Sequence, residues 1–145
     1  MMKRLLMMLV VALAPQAFAQ CELEVTAADL LKFDQPTLEV ARSCETVKLN
    51  FKHTGKLAKN IMGHNWVLSK AADLNGIAQD GLAAGLANNY IKPGDERVLA
   101  STIVIGGGES TSIEFSLAEL SDSEYTYFCS FPGHWAVMKG VLKIT

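Results

Sequence analysis

Ten residues near the end of the chain, Cys129-Ser-Phe-Pro-Gly-His134-Trp-Ala-Val-Met138, leave few options for the fold around them. They follow the alternating segment 125–129 and carry a thiol, an imidazole and a thioether, separated by four and then three residues. For three such donors to meet at one point, the strand before them must be held rigidly and the loop must turn back tightly. Phe131 and Pro132 favour that by narrowing the loop's conformations. Cysteine and methionine sulfur prefer Cu(I), imidazole serves both oxidation states, and two His with one Cys and a weak axial Met form the donor set of blue-copper electron-transfer sites. A second imidazole is therefore required, and His64 in Met62-Gly-His-Asn-Trp66 is the candidate.

Taken singly, these residues mean little, since a lone Cys or Met is ordinarily core and a lone His can be surface. Their spacing after a strand is what sets them apart. Zinc accepts two His and one Cys, but structural zinc sites use four N, S or carboxylate donors, and the methionine favours copper. A cysteine-nucleophile enzyme built on Cys129 and His134 would need an orienting group and an oxyanion site, and no nearby Asn or Asp suggests one. Copper storage or delivery uses the same donors and stands as the alternative to electron transfer. A storage protein exchanges its metal readily, whereas an electron carrier holds it in both oxidation states.

Residues 1–19 read as a secretory signal peptide: Lys3 and Arg4, an apolar run over 5–14, then Ala17-Phe-Ala19 as a cleavage site. The run is shorter than the roughly 20 residues of a membrane-spanning helix. Gln20 stands where a lipoprotein would have a small residue before Cys21, so no membrane anchor is expected. Removing Lys3 and Arg4 from 13 basic residues leaves 11 against 15 acidic ones, a net charge of −4. Residues 20–145 have the length of one domain. No basic stripe with interleaved aromatics appears, so nucleic acid is not an expected partner. An exported chain with three cysteines can pair only two. Cys21 and Cys44 lie together near the start, while Cys129 sits among metal donors, so the expected bridge is Cys21–Cys44. Closing its loop of roughly 24 residues is worth about 3.5 kcal/mol in a chain-entropy account.

Alternation marks strands at Thr37–Val40, Thr46–His53, 63–68, 98–105, Ser110–Ser116, 125–129 and 141–144. In Thr46–His53, His53 falls on the apolar face with Val47, Leu49 and Phe51, which predicts a buried, hydrogen-bonded histidine rather than a ligand. Trp66 is expected to pack core, and Lys48, Lys52, Lys56 and Lys59 to be solvated. Residues 71–90 break the pattern: Ala-rich, with Leu74, Ala78, Leu82 and Leu86 four apart, they predict a helical insertion interrupted at Gly76, Gly81 and Gly85. Lys92-Pro-Gly-Asp95 and 121–124 read as turns. Gly106-Gly-Gly108 is a loop and not a phosphate cradle, because no helix carrying Lys-Ser or Lys-Thr follows it. Many short strands with polar turns predict an all-β, antiparallel Greek-key sandwich or barrel with one helical insertion. Gly63, just before His64, predicts a close backbone approach, with its carbonyl available to a metal.

The segments Asn60-Ile-Met-Gly-His64-Asn-Trp-Val-Leu68 and Cys129-Ser-Phe-Pro-Gly-His134-Trp-Ala-Val-Met138-Lys-Gly140 together resemble the azurins, small blue-copper proteins of the cupredoxin family. The resemblance runs from about Cys21 to the end, and the Cys-x4-His-x3-Met loop differs in length from that of plastocyanin-like members. It implies a cupredoxin-like domain and a periplasmic, monomeric electron carrier that is not an enzyme and holds one type 1 copper. His64, Cys129 and His134 would be ligands, with Met138 axial and the Gly63 carbonyl opposite it. Asn65 would brace the metal loops, and the backbone N–H groups of Phe131 and Asn65 would point at the cysteine sulfur. It also implies an N-terminal disulfide and an apolar docking surface of Met62, Leu82, Phe131, Pro132, Gly133 and Ala136 around the edge of His134. The implied partners are c-type cytochromes, copper nitrite reductases or amine dehydrogenases.

Overall fold

Alternating residues become alternating burial. In a computed structural model, which describes residues 21–118, 120–121 and 124–145, β1 (Glu22–Ala27) buries Leu23, Val25 and Ala27 and turns Glu22 and Glu24 outward. β2 (Thr37–Val40) buries Leu38 and Val40. β3 (Thr46–His53) buries Val47, Leu49, Phe51 and His53 while Lys48 and Lys52 face solvent. β4 (Val67–Lys70), β5 (Ala100–Ser101), β6 (Ser110–Ser116), β7 (Tyr125–Phe128) and β8 (Lys139–Ile144) complete the described strands. The signal-peptide reading of 1–19 lies outside the described residues, as do the two central residues of the expected turn at 121–124. Among the described residues no helix is long and apolar enough to cross a membrane.

The strands form two sheets, ordered β1-β3-β6 and β2-β8-β7-β4-β5. This is the expected all-β sandwich, with one refinement: β1 pairs with β3, and β2 with β8, in parallel. Period-two patterning fixes which face a strand buries but is blind to its direction, which the crossings between sheets decide. The core lies between the sheets, where Val25, Leu49 and Phe51 meet Leu68, Tyr127 and Leu142. Trp66 is wholly buried there, as expected, and stacks on Tyr127 at 5.7 Å and Phe115 at 5.8 Å. Cys21 and Cys44 are bridged, and Cys129 is a buried free thiol.

The insertion is helical, but its periodicity differs from the expectation. A short helix α1 (Lys59–Met62), absent from the sequence reading, precedes His64. α2 (Leu74–Ala84) runs straight through Gly76 and Gly81 and ends at Gly85, whose φ of 70° only glycine adopts freely. Its buried face is Leu74, Ile77, Ala78 and Gly81, while Leu82 is 45% exposed. A strict four-residue spacing drifts about 40° per step around a 3.6-residue helix, so Leu82 rotates off the face that spacings of three and four keep inward. The expected strand over 98–105 shrinks to β5 and an isolated bridge between His64 and Ile105. Arg97 pins α2 to the following loop, bonding Asp80 and Asp95 at 2.7 Å each.

Candidate metal centre

Cys129 begins where β7 ends, and the antiparallel pairing of Phe128 with Lys139 makes 129–138 the connection between β7 and β8. The loop's own backbone ties its three donors together. Cys129 N–H donates to the Met138 carbonyl at 3.1 Å, and Met138 N–H donates to the His134 carbonyl at 2.8 Å. His64 arrives from the other direction, between α1 and β4. Two backbone hydrogen bonds with Ile105, at 3.0 and 2.8 Å, fix its main chain. The pairing of Val67 with Phe128 then sets the His64 segment beside Cys129. Gly63 has the close approach its position predicts: a Cβ there would lie 2.6 Å from Val104 Cγ1 and would strike the Lys59 carbonyl.

Around this scaffold, Cys129 Sγ lies 3.5 Å from His134 Nδ1 and 3.8 Å from His64 Nδ1. The three donor atoms all fall within 4.8 Å of one another. The Gly63 carbonyl oxygen is 3.9 Å from the sulfur, and Met138, also wholly buried, closes the loop. His64 Nε2 sits 2.8 Å from the Ala28 carbonyl, which can only accept, so the proton is on Nε2 and the Nδ1 lone pair faces the sulfur. His53 stacks on His64 with ring centroids 4.6 Å apart. Its Nδ1 accepts the Gly55 N–H at 3.1 Å and its Nε2 meets the Met62 carbonyl at 2.9 Å. Both nitrogens are occupied, so His53 is the hydrogen-bonded core histidine expected and not a donor.

Burial governs the protonation of the site. It pushes the Cys129 thiol up to about 12, against the opposing pull of the Asn65 and Phe131 backbone N–H groups that point at the sulfur. Those two donors are the ones the azurin resemblance implied. Burial, and then the neighbouring His64, lowers His134 to about 4, and burial lowers His64 as well. Two neutral imidazoles and a protonated thiol therefore converge on one point, and a cation that displaces the thiol proton meets one soft and two borderline donors. That chemistry fits copper.

Asn65 braces the two metal-binding segments, as expected. Its Oδ1 accepts the Ser130 N–H at 2.9 Å, and its Nδ2 donates to Ser130 Oγ at 2.8 Å and to the Asn89 carbonyl at 3.2 Å. Ser130 and Asn89 are absent from the sequence reading. Ser130 carries one signal, since it follows Cys129 as Asn65 follows His64; Asn89 carries none. Of the expected docking residues, Leu82, Gly133 and Ala136 are exposed and Met62 and Pro132 half-buried, while Phe131 and His134 keep only 8% and 5% of their surface. Phe131 covers the His134 ring at 4.6 Å. Leu57, Ile61 and Val137, which the sequence reading leaves out, are exposed apolar residues on the same ligand-bearing segments.

Residues 19–145 match the sequence model described as copper binding proteins, plastocyanin/azurin family. The azurin of Bordetella pertussis is 53% identical over 132 residues, covering 90% of this chain and 88% of that protein. Azurin-1 of Alcaligenes xylosoxydans xylosoxydans is 54% identical over 127 residues, covering 87% and 98% respectively. Among solved structures, azurin Az-iso2 of the obligate methylotroph Methylomonas sp. strain J superposes with a TM-score of 0.84 at 47% identity, covering 88% of this chain and 99% of that one.

Proposed function

The chain belongs to the plastocyanin/azurin family of copper-binding proteins, and from that premise we propose how its residues serve a blue-copper electron-transfer protein with one type 1 copper. His64, Cys129 and His134 would hold the copper, with the Met138 thioether and the Gly63 carbonyl as weaker donors beside them. The observation that carries this assignment is the meeting of two imidazole Nδ1 atoms and one thiol sulfur within 4.8 Å, from segments 65 residues apart. Bound copper supplies a one-electron couple between Cu(I) and Cu(II).

The protein's part is to keep the donors still. His64 is held through its ring by Ala28 and through its main chain by Ile105; Cys129 and His134 are held by the Met138 backbone. A site that does not rearrange between oxidation states exchanges electrons with little reorganisation. Two backbone N–H groups aimed at the sulfur favour its thiolate form and tune the metal. With Cys129 and both imidazoles engaged as ligands, the site keeps no nucleophile for work on a substrate, and we assign it no enzymatic role.

Export through residues 1–19 would deliver a monomeric protein of residues 20–145 to the periplasm. Its redox partners would be proteins of the c-type cytochrome, copper nitrite reductase or amine dehydrogenase classes, meeting the exposed Ile61, Leu82, Ala136 and Val137. The visible spectrum of copper-loaded protein tests the core of the reading: an intense blue band is expected, and a colourless Cu(II) form would refute the ligand set. Mass spectrometry of exported protein should find Gln20 at the N-terminus. Val137→Asp should slow electron transfer to a partner without moving the blue band; an unchanged rate would remove that surface from docking.

A further inference from the structure

Two consecutive residues that are not glycine, Asn89 and Tyr90, hold left-handed backbone with φ of 56° and 52°. Such outliers persist only where surrounding structure imposes them, and they gather at functional sites. Local bonds make the turn, Asn89 N–H donating to the Leu86 carbonyl and Tyr90 N–H to the Gly85 carbonyl at 2.9 Å each, and the metal centre's supports hold it in place. The Asn89 carbonyl accepts from Asn65 Nδ2 at 3.2 Å and from Ser130 Oγ at 3.0 Å. Its side-chain Oδ1 accepts the buried Val104 N–H at 2.9 Å. Asn65 follows His64, Ser130 follows Cys129, and Val104 precedes Ile105, which bridges to His64 through two backbone bonds. The next ring, Tyr90, packs edge-on against Phe131 at 5.2 Å, and Phe131 covers His134. From behind, α2 presses Gly81 against the Tyr90 carbonyl, where any side chain would collide.

We propose that Asn89 is a positioning residue of the metal centre, the point at which the helical insertion clamps the segments beyond His64 and Cys129 in register. Asparagine suits the place on two counts. It tolerates the left-handed region better than other residues with a β-carbon, and its amide oxygen satisfies an N–H that would otherwise be buried without a partner. The clamp is a property of the protein alone, although its bearing on copper rests on the ligand assignment proposed above.

The test compares wild type, Asn89→Gly and Asn89→Asp. Glycine keeps the left-handed turn and the backbone carbonyl but loses the anchor to Val104; aspartate restores an acceptor. In metal-free protein, amide exchange at Val104, Ile105 and Ser130 should quicken in Asn89→Gly relative to the rest of the core and recover in Asn89→Asp. In copper-loaded protein, Asn89→Gly should lose about tenfold in copper affinity against a competing chelator and shift its reduction potential, since outer groups that orient metal ligands typically matter at that level. Exchange that rises evenly across the molecule, or wild-type affinity and potential with only a lower Tm in both forms, would make Asn89 a turn residue and nothing more. Should Asn89→Gly not fold, Ser130→Ala removes the hydroxyl donated to the Asn89 carbonyl, and wild-type exchange and affinity there would overturn the proposal equally. A wild-type protein that binds no copper as a blue site would instead sink the ligand assignment, while the metal-free exchange data would still judge the clamp.

Discussion

The opposite ends of β1 and β3 are closed by different chemistry. Before β1, Cys21 is bonded covalently to Cys44 just ahead of β3. At the far ends, roughly 20 Å away along six-residue β1, Ala28 and His53 meet His64 through a hydrogen bond and a ring stack, and the nearby sulfur of Cys129 stays free. A disulfide holds two segments permanently but consumes both thiols as donors. At the metal end the sulfur has to remain available, so cohesion comes from a buried polar network, Asn65 with Ser130 and Asn89, in which each group is satisfied by another. On the proposed ligand set, stability and ligation fall to different cysteines.

The sharpest way to break this division is Cys129→Ser, which should abolish the blue band altogether while leaving Cys21–Cys44 intact. Thiol titration of unfolded, unreduced protein should fall from one group to none. Three free thiols in the wild type, or none, would mean the division is drawn wrongly. Next in size is the converse pair, Cys21→Ser with Cys44→Ser. Opening a loop with a sequence separation of 23 should cost about 3.5 kcal/mol in chemical denaturation, with the blue band unmoved. A displaced band would show that the two ends are mechanically coupled after all.

A third measurement uses pH. The metal-free Cys129 thiol stays protonated until about 12, and both imidazoles are lowered, so they are neutral around neutrality. Binding Cu(II) as thiolate must therefore expel one proton, and affinity rises as pH rises. Between about pH 6 and 8 the apparent affinity should climb about tenfold per unit, with one proton released per copper in a weakly buffered titration. A flat profile would mean that the thiol is already ionised or is not a ligand. The smallest effect should come from Met138→Leu, where a weak donor gives way to apolar bulk that disfavours the more highly charged Cu(II). The protein should stay blue and its reduction potential should rise. A lower potential, or loss of colour, would remove Met138 from the axial position.

Local chemistry was legible in the sequence and long-range geometry was not. Cys129, His134 and Met138 announce themselves because one short loop carries all three, whereas His64 enters only as the imidazole the set requires and through the azurin resemblance. β2, β3 and β6 follow from their alternation; β1, which the strand reading leaves out, obeys the same rule over Leu23, Val25 and Ala27. Alternation also marks β7, but the strand is buried along its whole length, Thr126 included, so its polar positions do not face solvent. The parallel pairings and the buried face of α2 depend on which segments become neighbours. Asn89 depends on three such neighbours at once, contacts that nothing in Asn88-Asn-Tyr90 foretells.

The burial of Cys129 has a consequence for the protein's life before metal arrives. Disulfide exchange and oxidation begin from an exposed thiolate. A sulfur with no accessible surface, whose burial pushes the thiol up to about 12, offers little thiolate at neutral pH. The folded, metal-free chain should therefore resist mixed disulfides, so the exposed interval for this thiol is the time spent unfolded, before β7 and its loop close over it.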